Sequence, residues 1–200
     1  EDGQWRLLMD YVPGSTLAEE LDRLPLDRRI AILATVCDAL AHAHAAGILH
    51  RDLKPANILL RESENGGWTP VVADFGLALG ADDPALTTTG EILGSPAYMS
   101  PEQARGDSTA IGPASDVFSI GCMLYEALTG RPPFQGATVS DSLDRLLNAE
   151  AAHPRRLNPH APEPLCRIAL QCLEHDPARR YRNTADIAAD LRRWTQEQSV

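Results

Sequence analysis

The 200-residue sequence is short of basic charge. Lys54 is its only lysine, and 18 cations face 28 acids, for a formal net charge of −10. Non-specific nucleic-acid binding and docking on an anionic membrane both need a basic footprint, so the balance argues against either. Cysteine is scarce too: Cys37, Cys122, Cys166 and Cys172 form no C-x-x-C pair and no disulfide framework. A reducing, cytoplasmic setting fits that usage. Cys166, Cys172 and His175 lie close in sequence, but their spacing matches no common zinc pattern, and they read as thiols of a helix core. There is no signal peptide and no membrane span: the greasiest stretch, 30–49, carries Asp38, His42 and His44 and reads as a buried helix. No internal repeat or low-complexity tract occurs.

What is present is ordinary globular material, 44% hydrophobic and 23% charged, enough for a core in one domain or part of one. "WRLLMDYV" (5–12) reads as a strand ended by Pro13 and Gly14. Ile30, Leu33, Cys37, Leu40 and His44 repeat at helical spacing, with Gly47 as the stop. "RESENGGW" is a polar hairpin-type turn, and "TPVVADFG" begins as a short strand. From Leu77 to Asp107 no period holds, and a loop that long inside a compact domain is usually functional or disordered. Helices resume in "SDVFSIGCMLYEALTG", "TVSDSLDRLLNA", "PLCRIALQCLEH" and "TADIAADLRRW". In the last, Ile187, Leu191 and Trp194 share a face. The layout predicts an α+β fold, mostly helical, with a few short strands and one long loop.

"GILHRDLKPANILL" (47–60) stands out. Leu49, Ile58, Leu59 and Leu60 belong in a core, yet His50, Arg51, Asp52, Lys54 and Asn57 are wedged between them. His50-Arg51-Asp52-Leu53, three residues, then Asn57 is followed by Asp74-Phe75-Gly76. Ser100-Pro101-Glu102 comes next, where the pattern usually has Ala-Pro-Glu. Each motif alone is weak, since Asp and Gly are commonplace in turns. All three in this order are specific. On these residues the chain resembles the protein kinase superfamily, serine/threonine type, from about residue 3 to residue 195. "GSPAYMSPEQARGD" looks particularly like bacterial members.

The resemblance implies a kinase large lobe over 14–195, with a catalytic loop at 50–57 and an activation segment at 74–102. Residues 1–13 would be the end of the small lobe and the hinge, and 196–200 a tail. It implies transfer of the γ-phosphate of ATP to protein Ser/Thr hydroxyls, with magnesium, or manganese in its place. Phosphoryl transfer is mostly positioning and charge neutralisation. Asp52 would accept the hydroxyl's hydrogen bond, Lys54 would sit on the transferring phosphate, and Asn57 and Asp74 would offer magnesium hard oxygens. Met9 would guard the rear of the adenine pocket. The backbone of Asp10 and Val12 would bond the adenine edge, and Leu59 would form its floor. Leu49, Ile58 and Leu60 would pin the loop to the core. His50, Phe75 and Gly76 complete the structural part of the motifs. Asp116 would hold the catalytic-loop backbone, unless it is an ordinary helix N-cap. Glu102 would pair with Arg180, with Arg179 and Arg182 in solvent.

Lys54 and Pro55 after Asp52 favour the serine/threonine branch, and Ser95 stands where the family usually has Thr, within reach of Asp52 and Lys54. Arg51 suggests control by phosphorylation of Thr87, Thr88 or Thr89, with Thr87 and Thr89 favoured. Glu126 is either a reader of basic substrate residues or a solvated helix acid, and His42 and His44 read as helix packing and surface. The partners implied are protein substrates, ATP and a second copy for autophosphorylation, with no nucleic acid. A membrane anchor outside this stretch remains compatible.

A complete kinase also needs G-x-G-x-x-G and a strand lysine. The glycine motif is absent, and the only lysine is committed to the catalytic loop. The chain therefore reads as a kinase domain cut before its ATP lid, and residues 1–200 alone are expected to be nearly inactive. Two alternatives are a non-catalytic pseudokinase or binding module, and a small-molecule phosphotransferase. The intact Asp52, Asn57 and Asp74 count against the first, and "GSPAYMSPE" against the second.

Overall fold

A computed structural model describes residues 11–63, 67–75 and 96–198. In chain order the elements are β1 (Ser15–Thr16), α1 (Leu17–Glu20), α2 (Leu26–Ala45), β2 (Ile58–Glu62), β3 (Trp68–Val72), α3 (Pro101–Ala104), α4 (Pro113–Thr129), α5 (Val139–Asn148), α6 (Glu163–Cys172) and α7 (Thr184–Glu197). Of the 5–12 strand, only Tyr11 and Val12 fall among the described residues, outside any element. Helix α7 runs two residues into the stretch read as a tail. Among the described residues no helix is long and apolar enough to cross a membrane.

Helix α4 is the axis of the fold. Thirteen of its seventeen residues are buried, so it is surrounded by protein rather than lying on a surface. Its apolar run packs on α2 and α6. Gly130, in the left-handed region at φ +78°, ends it, its N–H donating to the Glu126 carbonyl at 2.8 Å. Helix α2 buries Ile30, Leu33, Cys37 and Leu40, the stripe its spacing predicts, and its long contact is with α7. There Ile187, Leu191 and Trp194 are buried, and Arg192 pairs with Asp38 across the outer edge.

Packing between α4 and α6 leaves no room at Gly121. A Cβ there would stand 2.6 Å from the Cys172 Cβ and 3.1 Å from the Leu173 Cγ. Gly121→Ala is expected to cost about 1–3 kcal/mol, the usual penalty for overfilling a packed core, read as a lower urea midpoint with an unchanged slope.

The sheet is small and antiparallel, in the order β1-β2-β3, with Leu60 opposite both Ser15 and Pro70. The "RESENGGW" turn joins β2 to β3, with the Ser63 N–H donating to the Gly67 carbonyl at 2.8 Å. Strand β1 and helix α1 were not expected from the sequence. Gly14 lets the chain pass so close to β2 that any Cβ would collide with the Leu60 carbonyl. Thr16 then caps α1, reciprocally bonded to Glu19.

Candidate active site

The segment 48–57 leaves α2 and reaches β2 as a loop held at both ends by buried side chains. His50, Leu53, Ile58 and Leu60 are fully buried, whereas Leu49 is only half-buried. Arg51 takes the left-handed conformation, φ +68°, uncommon for a residue with a long side chain. The cause is visible in what its backbone bonds. Asp116, buried on α4, accepts the His50 N–H on Oδ2 and the Arg51 N–H on Oδ1, each at 2.9 Å. Gln103 donates to the Arg51 carbonyl. The peptide is thus gripped from both sides, which offsets the strain. Asp116 lies in the first turn of α4 without capping it; the capping position is Gly112.

A third donor completes the Asp116 carboxylate. His44 Nε2 lies 2.7 Å from Oδ2, with both side chains nearly fully buried. A carboxylate can only accept here, so Nε2 carries the proton. His44 is therefore not a surface residue. Its partner is 72 residues away in sequence, and nothing in the local pattern of α2 could have revealed the pairing. Gln103 was also overlooked, although Ser100-x-x-Gln103 is a legible capping box.

The His50 side chain extends the frame toward β3. Its Nε2–H donates to the Ala73 carbonyl at 2.9 Å, and its ring lies 4.8 Å from the Phe75 ring. The Ala73 N–H in turn donates to the Asn57 carbonyl at 2.9 Å. Asp74, one residue on, is exposed and left-handed at φ +59°.

The loop's charged groups converge. Lys54 Nζ donates to Asp52 Oδ2 at 2.7 Å. Asn57 Nδ2 donates to the Asp52 carbonyl at 2.8 Å and to Oδ2 at 3.2 Å. The Asn57 NH₂ is committed, so the amide oxygen is the atom this residue can offer outward. Together with the Asp74 carboxylate it would offer oxygen donors only, the kind magnesium takes. A cleft of about 620 Å³ opens beside Asp74, lined by Tyr11, Val12, Leu59, Val71 and Val72 among others. Its apolar side chains, with the charged Arg61 and Asp74 also in the lining, suit a flat aromatic ligand that carries anionic groups.

Beyond the loop, Glu102 and Arg180 form a buried bidentate pair, Nη1 to Oε1 at 2.8 Å and Nη2 to Oε2 at 2.9 Å. Arg179 is exposed and 3.3 Å from Glu174, and Arg182 is exposed. Glu126 is not a freely solvated acid. It is half-buried and accepts the Tyr98 hydroxyl at 2.7 Å. Burial pushes its carboxyl up, with the Tyr98 bond partly offsetting this. Met9, Asp10, Gly76, Thr87, Thr88, Thr89 and Ser95 lie outside the described residues.

The family model for the protein kinase domain matches residues 1–190. Serine/threonine-protein kinase PkaA of Streptomyces coelicolor is 42% identical over 174 residues, covering 86% of this chain and 31% of the relative. Serine/threonine-protein kinase PrkC of Bacillus subtilis is 38% identical over 195 residues, covering 96% of this chain and 29% of the relative. The chain thus spans less than a third of the length of these curated relatives. Among solved structures, the kinase domain of Mycobacterium tuberculosis PknI superposes with a TM-score of 0.68 at 24% identity, over 92% of this chain and 63% of that one.

Proposed function

Because the chain belongs to the protein kinase family, we propose that its loop 50–57 is the catalytic loop of a serine/threonine protein kinase. In this reading residues 14–195 are the large lobe, and 1–13 the hinge and the end of the small lobe. One observation carries it: Lys54 and Asn57 both donate to Asp52 Oδ2, on a loop whose backbone is bolted to α4 through Asp116.

The adenine of ATP fits the cleft between Val12 and Leu59. Asp74 and Asn57 would hold magnesium, which would supply neutralisation of phosphate charge. Asp52 orients the substrate hydroxyl and takes its proton as the oxygen attacks the γ-phosphorus and the bond to the β-phosphate oxygen breaks. Lys54 already pairs with Asp52, and its ammonium remains beside the phosphoryl group as negative charge shifts to the leaving oxygen. Pre-set geometry supplies most of the effect, since the loop has little left to rearrange.

The test is to incubate the full-length protein with γ-labelled ATP and magnesium, offering Ser/Thr peptides, Tyr peptides and small alcohols in parallel. Label on Ser/Thr peptides is the expected result. Label on the alcohols alone would make it a small-molecule phosphotransferase, and nucleotide-free inertness would make it a binding module.

Control by phosphorylation is the reading that Arg51 before Asp52 and the Thr87–Thr89 run of the sequence support. A phosphate there adds about −1.5 to −2 charge, which an arginine can hold. Autophosphorylation, one copy acting on another, is expected at Thr87 or Thr89, and replacing Thr87, Thr88 and Thr89 by Ala should lower activity about tenfold, within the range of ordering switches. Phosphopeptide mapping that finds this run unmodified in active enzyme overturns the assignment.

A further inference from the structure

At the start of α6, away from the catalytic loop in sequence, three metal-ligating side chains meet. Glu163 and Cys166 stand three residues apart in the first turn, hence on one face of the helix. His153 arrives from the 3₁₀ turn Pro154–Arg156, which it caps. One ligand atom from each of the three lies within 4.8 Å of the other two.

The Glu163 carboxylate is divided. Its Oε2 takes Arg155 Nη1 at 3.2 Å, and Arg155 is itself anchored, Nε donating to the Ala161 carbonyl at 2.9 Å. Its Oε1 faces His153 Nε2 at 3.6 Å, too far for a hydrogen bond. A held guanidinium therefore aims a free carboxylate oxygen at an imidazole, beside the buried Cys166 thiol.

We propose that His153 Nε2, Glu163 Oε1 and Cys166 Sγ bind a zinc-class divalent cation, with water as the fourth ligand. Mixed nitrogen, oxygen and sulfur donors select a borderline-soft ion, while magnesium and calcium want oxygens only. Zinc bond lengths put tetrahedral ligand atoms about 3.3–3.6 Å apart. Closure from 4.8 Å therefore needs an approach of up to about 1.5 Å, which His153 and Glu163 can supply from partly exposed positions. Thiolate and carboxylate neutralise the dication, and Arg155 stays as the outer partner that orients Glu163. The thiol proton leaves to solvent. The imidazole proton moves from Nε2 to Nδ1, ending the long 3.3 Å bond from the Arg155 N–H, which is exposed and passes to water.

Cobalt(II) is the probe. The purified protein, stripped with chelator, is titrated with Co²⁺. One equivalent should bind, with the visible bands of a tetrahedral ion and a near-ultraviolet thiolate-to-cobalt band, both removed by zinc. Cys166→Ser should abolish the thiolate band and Cys172→Ser, on the same helix, should leave it. His153→Phe and Glu163→Gln, at partly exposed positions where folding is not at stake, should each weaken binding at least tenfold. A wild-type titration without the thiolate band overturns the proposal. So does a band that persists in Cys166→Ser, or at wild-type affinity in His153→Phe or Glu163→Gln.

Discussion

Asp52→Asn should lower phosphoryl transfer about 10²–10⁴-fold, the usual worth of a positioned proton acceptor, while leaving the fold and nucleotide binding in place. The substitution changes almost no volume, and the Asp52 carbonyl that Asn57 holds at 2.8 Å is untouched. One side-chain oxygen survives to receive Lys54. What the proposed role would lose is the anion that takes the hydroxyl proton, so the effect should fall on kcat and spare the KM for ATP. Asp74→Ala makes the contrast. If Asp74, beside the cleft, holds magnesium as proposed, magnesium should cease to tighten nucleotide binding in this variant. Asp74 is exposed but left-handed at φ +59°, a conformation alanine tolerates poorly, so the substitution should also cost about 1 kcal/mol of stability without unfolding the chain. Near-normal turnover in either variant would refute its assigned role. Equal losses of nucleotide affinity in both would refute the division of labour.

Arg180→Met should destabilise the fold by about 3–5 kcal/mol, the cost of leaving a buried carboxylate without its cation. The guanidinium spends all five donors. Besides both Glu102 oxygens, it bonds the carbonyls of Glu174 at 2.7 Å, Ala114 at 2.8 Å and His175 at 3.1 Å. It also lies over the Phe118 ring, 4.8 Å from the centroid. Lysine offers three donors on a point charge and cannot fill this socket, so Arg180→Lys should lose most of the same stability. The pair also predicts a pH signature. Burial alone would raise the Glu102 carboxyl, but the hydrogen bonds and charge of Arg180, with the Ser115 hydroxyl, outweigh it and hold the carboxyl below its ordinary 4.5. A carboxyl lowered on folding stabilises fully above 4.5 and loses that contribution as pH falls through its folded value. The gap in urea midpoint between wild type and Glu102→Gln should be widest near pH 7 and shrink below pH 4.5. A gap that stays constant into acid would show that the ionised pair contributes nothing.

The family was legible in 50–57 because rare combinations stand there at short range: Asp52, Lys54 and Asn57 sit within six residues of one another. The amphipathic helices were legible for a similar reason, since Ile30, Leu33, Cys37 and Leu40 report their shared face by spacing alone. Strand β1 was not, because two residues carry no period, and Pro13-Gly14 reads as an end when it is a close crossing over Leu60. The Thr16/Glu19 capping box was the available clue to α1. His44 and the His153, Glu163 and Cys166 cluster escaped for a deeper reason. Their partners are brought together by the folded chain, and local pattern carries no record of a contact made across 72 residues or through an irregular turn.

Asp116 also sets the loop's clock. The amide protons of His50 and Arg51 can be traded for deuterium only when its carboxylate lets go. That carboxylate is itself buried and belongs to α4, most of whose residues are buried. Local fraying therefore cannot release these two amides. They should exchange with the slowest class in the molecule, at a rate governed by global unfolding. A segment that is a loop by its dihedral angles should keep time with the core.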